Sequence, residues 1–171
     1  MILYSYNLND LLEKAQLKAS HRAKTLLVKN PELVDEIAIN EDEDAIILQD
    51  YYRQACSKIA GIMSGYARNL YDTDGVTLLD ALTFVPASVN PAVDASVVFR
   101  VNRPRTFRND AAVLIDNNIE DAITCFMLYR IYKDKGHDFE SFFDDYNQAI
   151  SDLNMNLNSR TEIITRSYRS W

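Results

Sequence analysis

The strongest pattern along the chain is a run of apolar positions at Leu48, Tyr52, Ala55, Ile59, Ile62, Tyr66 and Leu70. Steps of four and three hold these on one face of an α-helix for some seven turns, roughly 40 Å at ~1.5 Å per residue. A second stripe, Ala112, Ile115, Ile119, Ala122, Phe126 and Tyr129, is finished by the aliphatic stem of Lys133. It predicts a helix capped by Asn109 or Asp110 and stopped at Gly136. A third stripe, Phe139, Phe142, Tyr146, Ile150, Leu153 and Leu157, predicts a helix over 138–158 with Asp138 at its cap. Ahead of all three, Asn7 or Asn9 can cap a helix through LLEKAQLKA that reaches about Val28. Asn30-Pro31 then restarts the chain into a short helical turn, PELVDEIA, and Asn40 is the next cap.

Between Asp72 and Arg108 the period changes. YDTDG is a turn in which Gly75 supplies the permissive backbone. ALTFV (81–85) and SVVFRV (96–101) are β-branched and aromatic runs joined by PASVNPAVDA, which predicts a two-stranded hairpin. An isolated hairpin is marginal in water, so this one needs helices or a neighbouring subunit to lean on. The expected fold is therefore mainly α: an antiparallel helix bundle with a central β-hairpin and an extended C-terminal tail. Residues 1–158 form a single helical domain with the hairpin at about 81–101, and 159–171 form a partner-binding tail.

Composition agrees with a folded chain. The 171 residues suit one domain, and a chain of that size buries roughly 70% of its unfolded surface. Ten Tyr and seven Phe against four Gly and four Pro exclude a disordered composition. Cys56 and Cys125 fall on apolar helix faces and read as reduced core thiols of a cytoplasmic protein. The opening residues lack a basic leader followed by an apolar run, and no stretch approaches a membrane span.

Charge adds a further feature, because the net −7 is unevenly spread. Residues 32–44 carry seven acids and no Lys or Arg, whereas RVNRPRTFR (100–108) carries four Arg and no acid. Such segregation is a contact device or a solvated face. Arg is favoured at contacts with carboxylates. Arg100, Arg103, Arg105 and Arg108 are therefore candidate subunit-interface residues, with Glu41, Asp42, Glu43 and Asp44 as complements if copies pack head to tail.

The same acids raise a catalytic alternative. All-α nucleotide pyrophosphohydrolases bind magnesium through paired E-x-x-E/D motifs on facing helices, and this chain has Glu32-x-x-Asp35 and Glu41-x-x-Asp44. Here, however, the pairs lie nine residues apart across a turn. Acids in a helix's first turn also complement its macrodipole and its unpaired N–H groups, so a helix start is the stronger reading. DTDG (72–75) resembles the opening of a calcium loop, but the third acid is missing and Gly sits one place early. His21 and His137 have no nucleophile or acid in a recognisable arrangement, and neither Cys is marked as an activated thiolate. No catalytic residue, metal ligand or cofactor site is expected.

The C-terminal segment departs from the helical pattern. After Leu157 the stripe ends, and NSRTEIITRSYRSW mixes β-branched, Arg and aromatic residues. Trp, Tyr and Arg dominate binding hot spots. Ile163, Ile164, Arg166, Tyr168, Arg169 and Trp171 are thus candidate partner-binding anchors, against the alternative of a frayed terminus.

The order of elements carries one resemblance. An acidic start and long helix (EDEDAIILQDYYRQACSKIAGIM), a central hairpin, and a helix of the type NDAAVLIDNNIEDAITCFMLYRIYKDKG resemble the head–tail connector, or adaptor, proteins of tailed bacteriophages over roughly residues 30–136. That family's members form a ring of about twelve copies under the portal. The resemblance implies a structural role in the virion neck after assembly in the host cytoplasm, with self-association, contact with the portal and with the next tail or neck ring protein, and a lumen through which DNA passes. It implies no catalytic residues, no cofactor and no membrane contact. Segment 1–29 and the helix over 138–158 exceed a minimal connector. Two alternatives from other classes remain: a small cytoplasmic magnesium-dependent pyrophosphohydrolase and a helical regulatory binding protein.

Overall fold

A computed structural model of the chain describes residues 1–27, 41–67, 70–72, 75–88, 94–102 and 107–159, excepting the side chains of 23, 25–27, 41–45 and 109. The order of elements is β1 (Ile2–Asn7), α1 (Leu8–Leu27), α2 (Glu41–Met63), β2 (Leu82–Pro86), β3 (Asp94–Val101), α3 (Asn109–Asp134) and α4 (Glu140–Leu157). The chain is mostly helical, with one small antiparallel sheet. The PELVDEIA turn and the Asn40 cap lie outside the described residues.

The α3 helix is the hub. From Ala122 to Leu128 every residue is buried, so this stretch is surrounded on all faces and its apolar positions exceed a single stripe. The one polar member, Thr124, donates its hydroxyl to the Glu120 and Asp121 carbonyls at 3.0 and 3.1 Å. Against this hub pack α4, α2 and α1, with the sheet lying on α1 and α2. The predicted positions Leu48, Tyr52, Ala55 and Ile59 of α2, and Phe142, Leu153 and Leu157 of α4, all enter the core.

Three helix boundaries have visible physical causes. Asn7 accepts the Asn9 N–H at 2.8 Å, which caps α1 as its residue type predicts. The α2 helix stops at Met63 rather than continuing to Leu70, because Ser64-Gly65 are weak helix formers and pass into a 3-10 turn through Tyr66. Tyr66 and Leu70 still pack inward from that irregular backbone. At the end of α3, Gly136 adopts φ +74°. Its N–H reaches the Lys133 carbonyl and the His137 N–H reaches that of Tyr132, the paired bonds of a Schellman stop. The His137 ring lies edge-on to Tyr132 at 6.3 Å, completing it. An L-residue with a Cβ is strained there, so Gly136→Ala is expected to lower stability by about 1 kcal/mol in urea denaturation.

The hairpin is one part of a three-stranded sheet. Its order is β1-β3-β2, with Tyr4 opposite Phe99, Tyr6 opposite Val97, Leu82 opposite Phe99 and Phe84 opposite Val97. The N-terminal segment thus packs on the rest of its own chain: β1 supplies the third strand, and Leu11, Ala15 and Ala19 bring α1 into the core. The support that a lone hairpin needs comes from within the chain.

The sheet's inner face and the α2 helix packed on it place phenols in apolar surroundings. Burial pushes the Tyr4 hydroxyl up to about 12, with the Asp116 charge adding to it. Tyr6 and Tyr52 are raised too, burial again being the main cause, and Tyr6 also donates to Asp116 Oδ1 at 2.6 Å. An unfolded Tyr ionises near 10, so between about pH 10 and 12 the folded chain holds protons the unfolded chain has lost. Stability present below pH 10 is therefore lost as pH rises through that window. The Tyr4 hydroxyl has no hydrogen-bond partner among the described residues. Tyr4→Phe is thus expected to flatten the alkaline decline while leaving neutral-pH stability within ~0.5 kcal/mol, as read by thermal melts across the window.

Candidate functional site

The acidic run Glu41–Asp44 forms the first turn of α2, as expected of a helix start; its side chains lie outside the described residues. Glu32 and Asp35 lie outside them altogether, as do Arg103, Arg105 and the tail anchors Ile163, Ile164, Arg166, Tyr168, Arg169 and Trp171. Of the Arg cluster, Arg100 and Arg108 are described. Arg100 donates to the Asp80 carbonyl at 3.0 Å and to Thr83 Oγ1 at 2.6 Å, which ties β3 to the start of β2. Arg108 pairs with Asp110 of its own chain, Nε donating to Oδ1 and Nη2 to Oδ2. The guanidinium holds the Asp110 carboxyl below the ordinary carboxylate range.

Thiol chemistry is disfavoured by the surroundings of both cysteines. Cys56 is fully buried, and burial together with the Asp94 charge pushes its thiol up. Cys125 sits 3.5 Å from Lys18 Nζ, yet burial outweighs that ammonium and its thiol is also raised. A protonated, enclosed thiol is a poor nucleophile. Burial alone would lower the Lys18 ammonium, but the 2.6 Å bond to Asp121 and the neighbouring Cys125 leave it raised. No group of three His, Cys, Asp or Glu among the described residues could hold a metal ion. No helix among them is long and apolar enough to cross a membrane.

The described surface has three features on which a partner could act. One is an open polar groove of about 200 Å³ where Lys18, Asp121, Asp145 and Asp152 meet. Another, of about 210 Å³, runs beside β1 and is lined by Ser5, Tyr6, Asp10, Lys14, Asp116 and Glu120. The third is the excursion Leu70–Leu79 between α2 and β2. There the Leu79 N–H bonds to the Leu70 carbonyl at 2.8 Å, Asp72 to Thr77 at 2.9 Å and Gly75 to Asp72 at 2.9 Å. Tyr71 and Leu78 face each other across an isolated bridge. Tyr71, Val76 and Leu78 are 49%, 80% and 67% exposed. In the sequence this segment shows only as the Asp-Gly turn with Gly75 at positive φ; the outward direction of its apolar residues depends on the bridge, which has no local signature.

No family model, no curated protein and no solved structure matches this chain.

Proposed function

We propose that the chain is a structural subunit of a phage head–tail connector ring, joining portal and tail and lining the DNA channel in the virion neck. The resemblance in element order supplies the class. The observation that carries it is the Leu70–Leu79 excursion, whose described residues are tied by backbone hydrogen bonds and present three large apolar side chains to solvent. Isolated exposed apolar residues are ordinary, but three on one hydrogen-bonded turn form a patch suited to another protein surface. In this reading the turn, the Arg cluster and the tail anchors all meet neighbouring copies. Net acidity suits a lumen through which DNA slides, because a basic wall would retain phosphates.

Native mass measurement and imaging of the purified chain test this directly. Closed rings are the expected result, and Val76→Asp with Leu78→Asp should weaken them without lowering the melting temperature. A monomer at all concentrations overturns the reading. A second measurement addresses the enzyme alternative: magnesium or a chelator is expected to leave the melting temperature unchanged within about 1 °C. Clear stabilisation by magnesium, accompanied by nucleotide hydrolysis, would replace the ring with a pyrophosphohydrolase.

A further inference from the structure

The sheet ends in two edges of different kinds. The β2 strand is short, closes on Pro86 and shifts register between Val85 and Pro86, devices that blunt an edge against further pairing. The β1 strand, of similar length, has neither the proline nor the register shift. Ile2–Asn7 is six residues of extended backbone without charge or proline, in unbroken register with β3. The Arg100 N–H bonds to the Ala81 carbonyl, toward β2. Peptide groups alternate sides along a strand, so those of Phe99 and Val97 face β1, and their partners Tyr4 and Tyr6 face back. The N–H and C=O groups of Leu3 and Ser5 therefore point out of the sheet at an edge with no strand partner among the described residues.

Beside that edge runs the groove of about 210 Å³, where Asp10, Asp116 and Glu120 set three carboxylates against the single ammonium of Lys14. A row of outward peptide groups flanked by net negative charge suits an extended segment of positive charge. The chain contains such a segment. Residues 160–171, RTEIITRSYRSW, carry Arg160, Arg166 and Arg169 against Glu162, with no Gly or Pro. Thr161, Ile163, Ile164, Thr165, Tyr168 and Trp171 give it strand-forming composition. The segment begins just beyond α4, and twelve extended residues reach about 40 Å.

We propose that residues 160–171 of one copy add as a strand to the β1 edge of the next copy, with Arg166 and Arg169 beside Asp10, Asp116 and Glu120. The proposal rests on the ring reading and names the contact that propagates it. Donor and acceptor are different surfaces, so the contact is heterologous and can close a ring.

The only Trp of the chain is Trp171, so a chain of residues 1–159 has none and a synthetic 160–171 peptide reports its own binding by fluorescence. Titrating that peptide with the 1–159 chain is expected to give a saturable blue shift that weakens with salt. Ser5→Pro removes an outward N–H and leaves the β1–β3 ladder intact, and it should weaken binding about tenfold. Asp10→Lys, at an exposed position, should weaken it several-fold, and thermal melts of both variants separate lost binding from lost fold. If Ser5→Pro fails to fold, Asp10→Lys and the salt dependence decide the matter. Absence of binding, or binding indifferent to both substitutions, overturns the edge assignment while leaving any rings seen with the full chain standing. A full-length chain that stays monomeric overturns the ring reading, and with it donation between copies, even where the peptide binds.

Discussion

Replacing Phe126 by Ala is expected to destabilise the fold by about 3–5 kcal/mol, the range for removing a large buried aromatic side chain. Phe126 lies in the stretch of α3 that is enclosed on every side. Its ring meets Tyr129 at 5.9 Å and Tyr146 of α4 at 5.3 Å, and the Lys58 ammonium of α2 sits 4.9 Å from its centroid. One side chain thus joins three helices. A domain of this size is stable by about 5–15 kcal/mol, so the loss is a large fraction of the total. The melting temperature should fall by roughly 10 °C or more. Val113→Ala on the same helix, at an exposed position, should stay within ~0.5 kcal/mol. Urea denaturation of the two variants checks the contrast. A Phe126→Ala cost below 1 kcal/mol would mean that α3 is not the element the other helices depend on.

The long stripes make the helices legible in the sequence, since three-four spacing is a local property. What escapes such a reading is non-local. Ile2, Tyr4, Tyr6 and Leu8 alternate with Leu3, Ser5 and Asn7, a period of two that marks a strand. The strand itself, Ile2–Asn7, is only six residues long, abuts a helix, and pairs with β3 some ninety residues away. Nothing near it in the sequence names that partner. The end of α2 misleads for the opposite reason: Tyr66 and Leu70 keep the stripe's spacing and are drawn inward, but from irregular backbone beyond Ser64-Gly65. In α3, Ile123, Met127, Leu128 and Tyr132 fall off the predicted stripe and are buried all the same, because the helix has neighbours on every side. The candidate surface is half legible. Composition singles out the tail and the Arg cluster. The open edge of β1 is a consequence of strand order, which no local pattern encodes.

Deleting residues 160–171 is the second change with a large expected effect, and it should separate assembly from folding. The buried core runs from Tyr4 to Leu157, and its last members Leu153 and Leu157 are retained on truncation. The close of α4 is retained as well. The Ser159 N–H bonds to the Asn156 carbonyl at 3.1 Å, and Asn158 accepts the Tyr66 hydroxyl at 2.5 Å. Truncation after Ser159 is therefore expected to leave the melting temperature within about 2 °C of the full chain. Assembly should respond differently. If Arg166, Tyr168, Arg169 and Trp171 are the anchors, they belong to the residue types that concentrate binding energy in a few positions. Their joint loss should then reduce ring formation at least a hundredfold in the concentration required, as read by native mass measurement, a change of about 2.7 kcal/mol. Trp171→Ala alone should account for a substantial part of it. A truncated chain that forms rings at the same concentration would remove the tail from the interface and leave the Leu70–Leu79 turn and the Arg cluster to hold the copies together. A truncated chain that unfolds would instead place 160–171 in the subunit's own structure.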